Sequence, residues 1–141
     1  MFLPLVLAAA NVIVLSRTRE PPEMVEVRRR YKILRDHLRA TNNLRFQMLW
    51  NPKPLTAFKS MKDTVGYNTN KGANITLCLQ GEPNEIFHVL IHELAHCTVE
   101  VYDHSDLFWS NYKDLRDICV SLGIYERIEG PTEFCGEHIS D

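Results

Sequence analysis

Apolar residues fill positions 2 to 15 with only Pro4 and Asn11 interrupting, and Arg17 and Arg19 follow at once. A membrane-crossing helix needs about 20 apolar residues, so this run is short for a span and nearer the length of a signal core. The charge order argues for an anchor. A secretory signal carries its basic residues before the apolar stretch, whereas here they come after it and would hold the following chain on the cytosolic side. Residues 1–19 are therefore read as a hydrophobic N-terminal helix that anchors the protein to a membrane, with a cleaved signal or a packed terminal helix as the other readings. Anionic lipid would attract the basic flank at about 1 kcal/mol per residue near the surface.

Beyond Pro21-Pro22 the pattern changes period. Met24, Val27, Tyr31, Leu34 and Leu38 recur at helical spacing with arginines between them, which predicts a basic amphipathic helix over 22–41. Its basic face can be a solvated surface or a membrane or nucleic-acid contact. Leu44 to Trp50 fits either a helix or a strand, and Asn51-Pro52-Lys53-Pro54 ends it. Thr64 to Leu79 reads as a hairpin, with Val65 and Tyr67 on one arm, Asn70-Lys71-Gly72 as the turn, and Ile75, Leu77 and Leu79 alternating on the other. Gly81-Glu82-Pro83-Asn84 breaks that strand and opens a helix through Ile86, Phe87, Leu90, Ile91, Leu94 and Ala95. A last helix starts near Ser105 or Asp106, carries Phe108, Tyr112, Leu115, Cys119 and Leu122, and stops at Gly123, leaving a short tail. The sum is an α+β domain with a small antiparallel sheet.

At 141 residues, 45% hydrophobic and 24% charged, the chain can bury a core, and its length suits one domain over 20–141 plus the N-terminal appendage. The net charge of −2 divides unevenly: residues 16–45 hold nine Lys/Arg against four Asp/Glu, and residues 46–141 hold seven against fourteen. The acidic main domain is a poor phosphate-tracking surface, so nucleic acid is not its expected partner. Cys78, Cys97, Cys119 and Cys135 form no C-x-x-C pair, which excludes a zinc finger. Two of them lie in apolar patterns, as reduced core cysteines do, and reduced thiols are expected.

The chemistry lies in His92-Glu93-Leu94-Ala95-His96. Residues four apart share a helix face, so two imidazoles can reach one ion at about 2.0 to 2.1 Å while Glu93 stands beside its open position. In such a site zinc acidifies a water and the glutamate takes its proton, readying it to attack a carbonyl; the same carboxylate can return the proton to the leaving amine. A catalytic zinc usually has three protein ligands. His104, eight residues after His96 where the helix must end, is the expected third, giving one Zn2+ held by His92, His96 and His104 with Glu93 as catalytic base. His88 lies one turn earlier on the same stripe, too far along the axis to join the same ion, and reads as a wall or packed side chain. His138, Asp103, Asp106 and Glu100 are weaker third-ligand candidates, and Tyr67, Tyr102 and Tyr112 are possible oxyanion donors.

The run from His92 to His96, followed by Asp103-His104-Ser105-Asp106-Leu107-Phe108-Trp109, resembles the zinc metallopeptidases with WLM and SprT-like domains, in which an aromatic follows the third histidine by four residues. Gly66-Tyr67-Asn68-Thr69-Asn70-Lys71-Gly72, Gly123-Ile124-Tyr125 and Phe134-Cys135-Gly136 make residues 60–141 similar to WLM-type metallopeptidases encoded by large DNA viruses of eukaryotes. The resemblance implies a compact zincin-like fold, a protein or peptide substrate, and Phe108 as a packing residue beneath the third ligand. It also implies that the strand Ala73 to Leu79 borders the cleft, where an extended peptide could add as another strand. Asp103 stands where the viral relatives are expected to have glycine.

The function expected is a membrane-tethered zinc metallopeptidase. Two alternatives have their own signals. Tyr102-Asp103-His104 echoes metal-dependent ribonucleases that mature ribosomal RNA, although Glu93 is foreign to them. A zinc-stapled, catalytically inactive scaffold would need a fourth protein ligand, and Cys97 points about 100° around the helix from His96. The sequence fixes no oligomeric state.

Overall fold

The computed structural model describes residues 20–59, 66–69, 74–101, 103–135 and 137–141. The expected anchor over 1–19, the turn 70–72 and Tyr102 lie outside the described residues. No helix among those described is long and apolar enough to cross a membrane.

Helix α1, Pro22–Ala40, begins with proline at its first position, where no backbone N–H is needed, and carries Glu23 in its first turn and His37 and Arg39 in its last. The stripe read from spacing, Met24, Val27, Tyr31, Leu34 and Leu38, is the buried face. The basic face is used largely within the domain. Arg28 donates to the carbonyl of Leu55 at 3.1 Å, Arg30 to that of Ile124 at 3.1 Å, and Arg39 to that of Trp50 at 3.1 Å. Hydrogen bonds from Arg29 and Arg30 pull the Glu26 carboxyl down to about 2. These arginines clamp α1 to the chain that follows it.

Leu44–Leu49 is a 3₁₀ segment, settling the ambiguous stretch; Asn43 accepts from the Phe46 N–H at its start, and Phe46 and Leu49 enter the core. Strands β1, Leu55–Phe58, β2, Gly66–Thr69, and β3, Asn74–Cys78, form a sheet in the order β1-β3-β2. The β2–β3 pair is antiparallel, with Gly66 opposite Leu77, as the hairpin reading requires. The sheet is nevertheless mixed, not antiparallel, because β1 runs parallel to β3 with Leu55 opposite Ile75. Four residues after a proline, with Phe58 exposed, give β1 almost no periodic signal. The order also corrects the expectation for 73–79. Strand β3 is paired on both edges, so no peptide can add to it.

Helix α2, Pro83–His96, buries ten of its fourteen residues, as a helix packed on several sides must. Helix α3, Asp106–Ser121, starts and ends as the sequence suggests: Ser105 accepts from the Phe108 N–H, and Gly123 follows in a left-handed conformation at φ 72°. The tail is not structureless. Strands β4, Thr132–Phe134, and β5, Glu137–Ile139, pair as a second hairpin.

That hairpin corrects the cysteine reading. Cys135, in its turn, is disulfide-bonded to Cys78 at the end of β3, while Cys97 and Cys119 are free. The partners are 57 residues apart, and only the folded-back hairpin brings their Cα atoms to 6.6 Å. Gly81 lets the hairpin sit down, since a Cβ there would lie 2.6 Å from the Phe134 ring.

Candidate metal centre

His92 and His96 leave the last two turns of α2, and His104 approaches from the connection to α3. That connection is tied at several points. Thr98 donates to the Ala95 carbonyl at 2.6 Å and accepts from Asn111 of α3 at 2.8 Å, while Arg45 donates to Asn111 at 2.7 Å. Asp103 accepts from the Ser105 N–H at 3.3 Å, an Asx-type turn that sets the chain around His104. The exposed Val101 and Leu107 flank the same connection.

The Nε2 atom of His104 lies 3.2 Å from Nε2 of His92 and 3.2 Å from Nε2 of His96. All three ligand atoms fall within 4.8 Å of one another, the one such cluster among the described residues able to hold a metal ion. Ligands about 2.0 to 2.1 Å from a tetrahedral ion stand about 3.3 Å apart, so the donor set fits one small cation. Phe108, fully buried, lies under all three rings, with centroids 4.4 Å from His96, 4.9 Å from His104 and 5.1 Å from His92. Burial, then the charges of His96, His104 and His88, pushes His92 down to about 3. Burial and His104 push His96 down to about 4. Both rings are thus neutral at pH 7, the form in which imidazole ligates metal.

Glu93 is 3% exposed and opens, with the three histidines, onto a cleft of about 440 Å3. His88, Val89, Trp109 and residues 137–140 complete its walls. The sequence assigns Trp109 no role at the site and offers His138 only as a weaker ligand candidate, while Glu137, Ile139 and Ser140 are not singled out by it. Trp109 follows Phe108 and its ring lies 5.6 Å from His104, a position readable once α3 is placed. Residues 137–140 carry no local signal, and only the hairpin's return brings them here.

His88 is a wall residue, as expected, and it is also anchored. Its Nδ1 lies 2.9 Å from the Tyr125 hydroxyl and 3.3 Å from that of Tyr112. Each hydroxyl spends its single proton on Asp141, at 2.6 Å from Tyr125 and 2.5 Å from Tyr112, so Nδ1 must be the donor toward them. Burial opposes ionisation of Asp141, but the bonds from His88, the two tyrosines and the Ile128 N–H outweigh it and hold this carboxyl well below the usual range. Burial and Asp141 push both tyrosine hydroxyls above theirs. Tyr112, a candidate oxyanion donor, is therefore committed elsewhere. Cys97 donates to the Glu93 carbonyl at 3.3 Å, and burial raises its thiol to about 11. Among the other ligand candidates, His138 is a cleft-wall residue, while Glu100 and Asp106 are exposed and stand outside the three-histidine cluster.

Comparison with known proteins agrees with this arrangement of motif and fold: the WLM domain family matches residues 34–136. The chain belongs to the WLM domain family. This WLM domain is 32% identical over 96 residues, 60% of its length, to uncharacterized protein R325 of Acanthamoeba polyphaga mimivirus, so the viral kinship read from the sequence holds. It spans 49% of that relative's length. Two solved structures are similar. Wss1 of Saccharomyces cerevisiae matches with a TM-score of 0.44 and 22% identity over 49% of this chain and 59% of that one. The metallopeptidase zymogen of Pyrococcus abyssi abylysin matches with a TM-score of 0.42 and 24% identity over 68% of this chain and 97% of that one.

Proposed function

We propose that this WLM domain is a zinc-dependent metallopeptidase that hydrolyses peptide bonds in protein substrates. The observation that carries the reading is the convergence of three imidazoles, with His104 3.2 Å from each of the other two, beside a nearly buried Glu93 in one cleft. His92, His96 and His104 would hold the ion. Bound there, zinc would supply a Lewis acid for the substrate carbonyl and a water acidified toward pH 7. Glu93 accepts the proton of the attacking water on its carboxylate and returns it to the departing amine. Phe108 keeps the three rings in place from below, which spares reorganisation when the ion binds.

Three histidines and no fourth ligand in the cluster, among the described residues, favour catalysis over a structural staple, since structural zinc is normally enclosed by four protein ligands. Cys97, turned to a backbone carbonyl, is not a fourth. The reading includes a membrane tether through residues 1–19, supported by the apolar run and the basic flank after it.

The deciding experiment uses the full chain and denatured casein. Wild type should carry about one zinc by elemental analysis and cleave casein in a chelator-sensitive way; Glu93→Gln should keep the metal and lose cleavage by about 100-fold or more. Casein cleavage retained by that variant, or zinc absent from the wild type, refutes the assignment.

A further inference from the structure

The cleft wall facing α2 is built from four consecutive residues, Glu137, His138, Ile139 and Ser140. Alternate side chains of a strand point to opposite faces, so a strand presenting its face would contribute every second residue. A consecutive run means that β5 offers its edge. The register tells what that edge carries. Thr132 is opposite Ile139, Glu133 opposite His138, and Phe134 opposite Glu137, with only Cys135 and Gly136 between the last pair. A pair closed by a two-residue loop exchanges both of its backbone bonds, and hydrogen-bonded pairs alternate with non-bonded ones along an antiparallel ladder. Phe134–Glu137 and Thr132–Ile139 are therefore the bonded pairs. The N–H and C=O of His138 point away from β4, toward the edge that no other strand among the described residues covers.

We infer that this edge is the substrate-docking strand: an extended peptide lies in the cleft between β5 and α2, pairing through its backbone with the N–H and C=O of His138. The inference rests on the peptidase reading and names the substrate class, a segment without secondary structure of its own, since only an extended backbone presents both groups at strand spacing. It moves the docking strand from 73–79, whose edges are both taken, to the hairpin. The wall is held in place from both ends. The disulfide fixes Cys135 to β3, and the Asp141 carboxylate fixes the far end between Tyr112, Tyr125 and the Ile128 N–H. The His138 side chain is exposed and is not what the pairing needs.

The test uses zinc-loaded full chain and short peptide hydroxamates carrying a single N-methyl group at successive amides, with binding measured by calorimetry. Methylation of the amide that pairs with the His138 carbonyl should weaken binding about tenfold while its neighbours are tolerated. His138→Ala should preserve that pattern. His138→Pro, which deletes the outward N–H and also fixes φ at this position, should weaken all the peptides while a folded variant keeps its zinc content. Equal tolerance of methylation at every amide overturns the inference on wild-type protein alone, as does a folded His138→Pro chain that binds as wild type. A wild type that cleaves casein yet shows no methylation pattern sinks this docking mode and leaves the peptidase reading standing. One that neither binds hydroxamates nor cleaves casein sinks both.

Discussion

Reducing the bond between Cys78 and Cys135 removes one covalent link and alters no other atom, so its effect can be worked directly from the fold. The link closes a loop of 57 residues. In the chain-entropy treatment, releasing a loop of that length lets the unfolded ensemble expand and costs the native state about 4 kcal/mol at 25 °C. The crossed elements explain why that number should be nearly realised: the loop contains β3's exit, α2, α3 and β4, so no shorter contact substitutes for it. With a urea slope of about 1.5 to 2 kcal/mol/M, the midpoint should fall by about 2 to 3 M. The assay is urea unfolding followed by tryptophan fluorescence, with and without a phosphine reductant, in chelator so that metal binding contributes equally. Thiol titration of the unfolded, unreduced chain should find two thiols, those of Cys97 and Cys119, and four after reduction. Four thiols before reduction, or a loss below about 1 kcal/mol, would refute the reasoning.

Three further outcomes are expected. His104→Ala removes the one ligand that lies outside α2, and zinc affinity should fall at least about 100-fold by competition with a chromogenic chelator, a loss that outer-sphere partners alone can produce; unchanged affinity would exclude His104 from the site. Gly81→Ala drives a Cβ to 2.6 Å from the Phe134 ring and should cost about 1 to 3 kcal/mol in urea unfolding, whereas a neutral result would mean that Phe134 and its hairpin yield freely. The metal-free protein should lose stability as pH falls from about 6.5 toward 4, because His92 at about 3 and His96 at about 4 resist protonation when folded while the unfolded imidazoles accept protons near the ordinary value of 6.5. The folded values are depressed, so the contribution is complete above 6.5 and is withdrawn below it; a flat urea midpoint across that range would contradict the burial of these two rings.

The local code of this protein is strong where one element decides the outcome. The stripe from Met24 to Leu38 specified α1 because helical period and apolar burial coincide there. His92 and His96 are four apart on a helix, so their shared face follows from geometry before any tertiary contact exists. Ser105 and Gly123 bounded α3 for equally local reasons, a side-chain cap at one end and a left-handed residue at the other. His104 was legible in part: its spacing and the aromatic after it suggested a third ligand, but its position depends on Asp103, Thr98 and Asn111 tying the connection to α3.

What remained hidden was every feature made by residues distant in sequence. Strand β1 is too short to show a period and gains its identity from its parallel partner. The disulfide joins positions 57 apart, and the cleft wall at 137–140 comes from three-residue strands that have no stability of their own. The sequence determined which helix bears the chemistry and which side chains face together, because helical geometry repeats within a few residues. The tertiary structure alone decided what encloses that chemistry, because a wall, a crosslink and a free strand edge are set by which distant segments pack together and which backbone groups that packing leaves unpaired.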